Sequence, residues 1–288
     1  LLPMVLMLAG SVSADAPTNM LALLLVSVVL SCAARRDAAD ETLSGRAFGL
    51  LLIVSVLLSL SKNAYVAMAG LVLFIPPVRF GSPGRYAGGV ALVLGVNAVA
   101  VLLWAHVVRD FFVQMNPFEI TNTAQQVHHI AAHPFAFCGV ILRTFVRYSG
   151  DFAARAVGCF SWTGEPFSPV IGWTAYPMLL AAALIGGTRP IRLHVLQRLV
   201  LGLVIGGTTL LICTAIYIQW NAVAKSVIDG IQGRYFIPLL PLFFLLAYNR
   251  RLTLGRVRLR MGVGLVFTAY ALCMAAVSLY VIGEAYGL

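Results

Sequence analysis

Apolar residues run along this chain in long blocks broken by short polar stretches, with little alternation of period two. Blocks of this kind predict helices that are apolar all round, which belong in a bilayer. They cover residues 20–34, 47–60, 64–76, 86–106, 173–185, 199–217, 236–248 and 261–282. Residues 1–10 are apolar but fall short of the roughly 20 residues a crossing needs, and read as the end of a helix that begins upstream. The expected fold is an all-α polytopic membrane protein with about eight transmembrane helices plus the tail of another. It forms one transmembrane domain over 1–288, a fragment lacking its N-terminal helices.

Blocks 47–60 and 64–76 flank Ser61-Lys62-Asn63, and each is shorter than a comfortable crossing. Length favours one broken helix; charge favours a hairpin. With a hairpin, Arg35, Arg36, Arg79, Arg85, Arg189, Arg192, Arg198 and the arginines of 250–260 all fall on the cytoplasmic side, as the positive-inside rule asks. With a single crossing, everything from Arg79 onward flips. The hairpin is the reading adopted, with Lys62 at its outer vertex.

Composition agrees with the pattern. Of 288 residues, 60% are hydrophobic and only 10% charged, with mean hydropathy +0.93, against about 25% charged in ordinary soluble domains. The net charge of +10 sits in short loops between apolar blocks, which argues for topology and against a nucleic-acid partner. The five cysteines form no CxxC pair. Only Cys138 and Cys159 fall where they would meet on the outer face.

Residues 109–172 are more polar and broken by Asn116-Pro117, His133-Pro134 and Gly164-Glu165-Pro166. They predict an extracytoplasmic segment inserted between helices. Within it, 135–148 is apolar but carries Arg143 and Arg147 one turn apart, the mark of an interfacial helix. His129 and His133 have the i, i+4 spacing that clamps a divalent metal. No third ligand is evident, so a polar interfacial helix is the better reading and no cofactor is expected. Lys225 and Asp229 are spaced as a helical ion pair.

The stretch richest in chemistry is Gln232-Gly233-Arg234-Tyr235-Phe236-Ile237-Pro238-Leu239-Leu240-Pro241. It sets a cation at the mouth of a membrane helix whose first turns tolerate proline. A planar guanidinium there suits a phosphate or pyrophosphate; it equally suits an arginine snorkelling to the interface. Asp15, in Ser11-Val12-Ser13-Ala14-Asp15-Ala16-Pro17, reads as a helix cap or as a carboxylate that orients a hydroxyl or pairs with Lys62.

The Gln232–Pro241 stretch resembles the QGRYFxPLxP signature of a bacterial membrane-protein family, domain-of-unknown-function family 2142. Ser11 to Ala16 resembles its S-V-S-P-D-A segment, with Ala14 in place of proline. Lys62 ahead of a short apolar run ending at Ile75-Pro76, and Gln126 with His133-Pro134, also fit. That family is similar to the polyprenyl-phosphate-dependent glycosyltransferases of the C superfamily. The resemblance implies a fold of that kind in the inner membrane, with an active face on the outside. It implies a polyprenyl-phosphate-linked sugar and an envelope glycan acceptor as partners, beside membrane lipids. Arg234 would then meet the donor phosphate, with Tyr235, Gln232, Lys62 and Asp15 as further substrate-binding residues. The catalytic base of such enzymes lies in a first outer loop that this chain does not show, so Asp15 has at most a supporting role. The alternative is a non-catalytic protein that binds or transports a lipid-linked glycan.

Overall fold

A computed structural model describes residues 3–9, 13–34, 42–111, 116, 119–158, 169–184, 193–248 and 257–286. All regular elements among them are helical: α1 Pro3–Ala9, α2 Asp15–Ala34, α3 Gly45–Ser61, α4 Pro83–Val108, α5 Thr123–Ala132, α6 Pro134–Val157, α7 Pro169–Leu184, α8 Val195–Trp220, α9 Leu240–Ala247 and α10 Val257–Tyr286, with 3-10 segments between some of them. Asp15–Ala33, Pro83–Val108, Val195–Trp220 and Met261–Tyr280 are long and apolar enough to cross a bilayer, a fifth span arising if α5 and α6 count as one. Four shorter apolar helices, Gly45–Ser61, Asn63–Phe74, Thr174–Leu184 and Gly233–Ala247, fall below that length. Length and composition alone therefore give four to five spans, not the expected eight.

The chain divides into two compact units. One comprises residues 1–20, 151–198 and 232–288; the other comprises 21–150 and 199–231.

The second unit is built on the expected hairpin. Lys62 adopts an extended conformation (φ −154°, ψ 117°) between α3 and a 3-10 helix, Asn63–Phe74. The return is closed at its far end, where the Leu43 N–H donates to the Arg79 carbonyl at 2.6 Å. The 3-10 geometry explains how arms of unequal residue count match. Seventeen α-helical residues rise about 26 Å, and twelve 3-10 residues about 24 Å, at about 1.5 and 2.0 Å per residue. A run too short as an α-helix thus keeps pace with its partner.

The 3-10 arm is the most enclosed element: Tyr65, Met68, Ala69, Leu71, Val72, Phe74 and Ile75 are all buried. Across it α8 comes close, with Gly207 facing Ala67 and Gly70 facing Val204, the small-residue contact by which membrane helices associate. On α4, Asn97 is fully buried and ties the helices together. Its Nδ2 donates to Ser55 Oγ (2.9 Å), and its Oδ1 accepts from Ser59 Oγ (2.6 Å). The rest of α4 leaves Leu102, Leu103, Trp104 and Val107 exposed, as a lipid-facing helix should. Buried Arg79 donates from Nε to the Cys32 carbonyl (3.1 Å) in the last turn of α2, where orphan carbonyls favour a cation.

The predicted break at His133-Pro134 is present, and α5 meets α6 at 106°. On α6, Phe137, Val140 and Thr144 are buried while Phe135, Leu142 and Val146 are exposed.

The first unit gathers α1, the last turns of α6, α7, the 232–248 segment and α10. Met4, Leu8, Ala156 and Ile237 form one cluster; Val157, Ala175 and Met274 form another. The membrane helix expected over 236–248 is a 3-10 segment, Gly233–Leu239, continuing into α9. Pro238 lies within the 3-10 part, where the α-helical ladder it would break is not formed.

Candidate functional site

Two of the predicted residues meet within the first unit. Arg234 Nε stands 3.1 Å from Asp15 Oδ2, with the Asp15 side chain almost fully enclosed and that of Arg234 four-fifths so. At Nε this is a charge contact, since that N–H has no acceptor along its direction among the described residues. The guanidinium carbon also lies 5.9 Å from the centre of the Tyr235 ring, within cation–π range.

Local chemistry explains how Asp15 comes to face a cation. Capping at the start of α2 falls to Ser13: its hydroxyl accepts from the Asp15 N–H (3.2 Å) and donates to Asp15 Oδ2 (3.3 Å). The capping role read for Asp15 is thus corrected, since its carboxylate is turned to Arg234. One turn along the same face stands Asn19, buried, whose Nδ2 has no hydrogen-bond partner among the described residues. Buried polar groups without partners are rare enough that each asks for a reason. Sequence reasoning passed over Asn19, although its i+4 spacing from Asp15 was in view.

Arg234 is positioned by its neighbour. A Cβ on Gly233 would lie 2.1 Å from the Phe152 carbonyl oxygen and 2.5 Å from the Ala156 nitrogen. The 3-10 segment therefore docks backbone to backbone on the end of α6, which no other residue permits. Phe236 follows onto Phe152, ring centres 5.8 Å apart. Gln232 precedes the 3-10 segment, and its carbonyl accepts from the Tyr235 N–H (3.0 Å). Lys62 belongs to the other unit, at the hairpin vertex.

The second unit holds a separate polar lattice around the loop after α8. Asn221 Nδ2 donates to the Ile216 and Asp229 carbonyls, and its Oδ1 accepts from the Asp229 N–H. Fully buried Gln126 donates to the Tyr217 carbonyl and accepts from the Ala224 N–H, holding Ala224 at a positive φ of 63°. Thr144 Oγ1 accepts from the Ile228 N–H (2.9 Å) and Arg143 Nε donates to the Ser226 carbonyl (3.1 Å). Lys225 pairs with Asp229 (2.6 Å) and with Glu119. The predicted Lys225–Asp229 pair thus exists, but in irregular backbone, not on a helix. Hydrogen bonds from Lys225 and from the Ala222 N–H hold the Glu119 carboxyl below its ordinary value of 4.5. Burial works against the Lys225 ammonium, yet the bonds to Asp229 and Glu119 prevail and raise its pKa.

The His129 and His133 rings are 5.0 Å apart, centre to centre. No group of three or more metal-binding side chains occurs among the described residues. Cys138 is an exposed free thiol, and its suggested partner Cys159 lies outside the described residues, as do Ser11, Val12 and Glu165.

No curated protein and no solved structure matches the chain. A family model described as predicted membrane protein (DUF2142) matches residues 1–243, a span that takes in both Asp15 and the Gln232–Pro241 stretch. With that match over most of its length, and with its apolar helices, the chain belongs to the DUF2142 family of predicted membrane proteins.

Proposed function

We propose that the chain is a membrane glycosyltransferase moving a sugar from a polyprenyl-phosphate donor to a cell-envelope glycan or other acceptor on the extracytoplasmic face of the inner membrane. The observation that carries this reading is the enclosed Asp15–Arg234 contact, in which Arg234 Nε lacks a hydrogen-bond acceptor among the described residues, as does Asn19 Nδ2 one turn on from Asp15. An unanswered donor on an enclosed cation is what a phosphate oxygen would satisfy. In this role Arg234 holds the donor phosphate, and Tyr235 and Gln232 border it. As the bond from the anomeric carbon to the phosphate oxygen breaks, the departing phosphate gains charge that the guanidinium stabilises. The acceptor hydroxyl forms the new bond and gives its proton to a carboxylate.

A second reading is a protein that binds or moves a lipid-linked glycan without transfer. It draws support from Asp15 itself, whose carboxylate is already engaged by Ser13 and Arg234.

The test is binding of a polyprenyl-phosphate sugar by the full-length protein and by its Arg234→Lys variant, with folding checked in parallel. Lysine keeps the charge but loses the planar fork. Loss of a charge-assisted hydrogen bond costs about 1.5–3 kcal/mol, a roughly ten- to hundredfold loss of affinity. Unchanged affinity in a well-folded Arg234→Lys protein rejects the phosphate role. Release of free polyprenyl phosphate on adding acceptor separates transfer from binding alone.

A further inference from the structure

At the closed end of the hairpin, away from Lys62, the starts of α3 and α4 border a groove of about 350 Å³. Its walls are apolar, formed by Phe48, Phe80 and Leu92, and glycine opens it where Gly88 and Gly89 replace side chains. Phe80 is held edge-on by Phe48 (6.3 Å) and Tyr86 (5.3 Å). Gly89 is required for that, since a Cβ there would lie 2.8 Å from the Phe80 ring. Gly88 faces open space.

Among the described residues, the charged side chain that lines this groove is Arg85. It stands in the first turn of α4, where the Ser82 hydroxyl accepts from its backbone N–H, a place where a helix already presents positive potential and a cation is unfavourable. The start of α3, capped by Ser44, adds a second positive helix end. No carboxylate lines the groove among the described residues. Positive charge is therefore concentrated at the mouth of an apolar slot, beside a helix, α4, that is exposed along most of its length.

The geometry points to a binding site for an anionic glycerophospholipid. Its phosphate lies on Arg85 and the two helix starts, and an acyl chain lies along Phe48, Phe80 and Leu92. Charge complementarity selects this occupant: a zwitterionic lipid brings its own cation to the mouth, whereas phosphatidylglycerol brings only the anion. Basic pockets between membrane helices bind lipid headgroups on the same principle.

The experiment is native mass spectrometry of the full chain released from mixed micelles holding phosphatidylglycerol and phosphatidylcholine of identical chains in equal amounts. Phosphatidylglycerol should be retained at least tenfold over phosphatidylcholine. Arg85→Gln should lower that preference fivefold or more. Gly88→Leu, at a position where an added Cβ meets nothing within 4 Å, should lower retention of both lipids. Equal retention of the two lipids by the unaltered protein overturns the site, as does undiminished preference in Arg85→Gln or undiminished retention in Gly88→Leu. A preference that survives Arg85→Gln while stability falls would assign that cation to contacts within the chain, and would also overturn it. If polyprenyl phosphate displaces phosphatidylglycerol at equal concentration, the glycerophospholipid assignment is wrong.

Discussion

Gly233→Ala is the sharpest test of how Arg234 is held in place. Elsewhere in a helix, alanine for glycine stabilises by about 0.5–1 kcal/mol, so propensity alone predicts a gain. Here the added methyl carbon would stand 2.1 Å from the Phe152 oxygen, 2.5 Å from the Ala156 nitrogen and 2.9 Å from the Arg155 carbonyl carbon. All three are backbone atoms of α6, so no side chain can swing aside. Relief requires moving the 3-10 segment by about an ångström, which also loosens Ile237 from its cluster with Met4, Leu8 and Ala156. Overpacking of this sort costs about 1–3 kcal/mol, and the rigid backbone places it at the upper end. Against the propensity gain, the net is a destabilisation of about 2 kcal/mol, with Arg234 drawn away from Asp15. The assay is thermal unfolding of the detergent-solubilised protein, with Gly95→Ala as the control. Gly95 lies within α4 and a Cβ there meets nothing, so that variant should be neutral or slightly more stable. If Gly233→Ala melts at or above the unaltered protein, the backbone docking on α6 is wrong.

Asn97→Ala should destabilise by about 0.6–2 kcal/mol, the range for hydrogen bonds between membrane helices, because Ser59 loses its buried acceptor and Ser55 its donor; melting of the purified protein checks it. Glu119→Gln should cost about 0.5–1 kcal/mol at neutral pH. Because the folded-state pKa of Glu119 is lowered, its stabilisation is present above the ordinary 4.5 and is lost as pH falls through the lowered value. The melting difference between variant and parent should therefore vanish in acid, and a difference that stays constant as the carboxyl is titrated would exclude the ionic contact. For topology, Thr163→Cys and Gly255→Cys on a cysteine-free background should label from opposite sides with an impermeant reagent, and labelling of both from one side would refute the arginine-based orientation.

What could be read in advance followed the reach of local chemistry. The hairpin at Lys62 followed from the arginines, because orientation is a sum over loops and needs no knowledge of packing. The break at His133-Pro134 followed from proline chemistry that acts within a few residues, whereas α4 begins at Pro83 behind its Ser82 cap, ahead of the apolar block expected from residue 86. The 3-10 character of Asn63–Phe74 did not, since the same apolar residues would serve an α-helix. Burial on several sides selects the thinner, longer form. Nor was the lattice around residues 221–231 legible. Its supports, Glu119, Gln126 and Thr144, lie about 80 to 100 residues earlier in the chain, and nothing in their own surroundings marks what they hold. Asp15 was singled out by its neighbours, but its partner Arg234 lies more than 200 residues away.

The closed hairpin also bears on how such a chain enters a bilayer. An insertion machinery that samples segments one at a time weighs each arm alone, and each arm is shorter than a stable crossing needs. If the arms cross as the arginines lead one to expect, they would enter as a pair, burying their apolar faces against each other with only the tip carried across. That tip bears Lys62, whose passage would cost about 2.5–3.5 kcal/mol at the centre of the bilayer, met once and by two arms together. In that case shortening the turn, or delaying the second arm during synthesis, would leave the first with no stable place in the membrane.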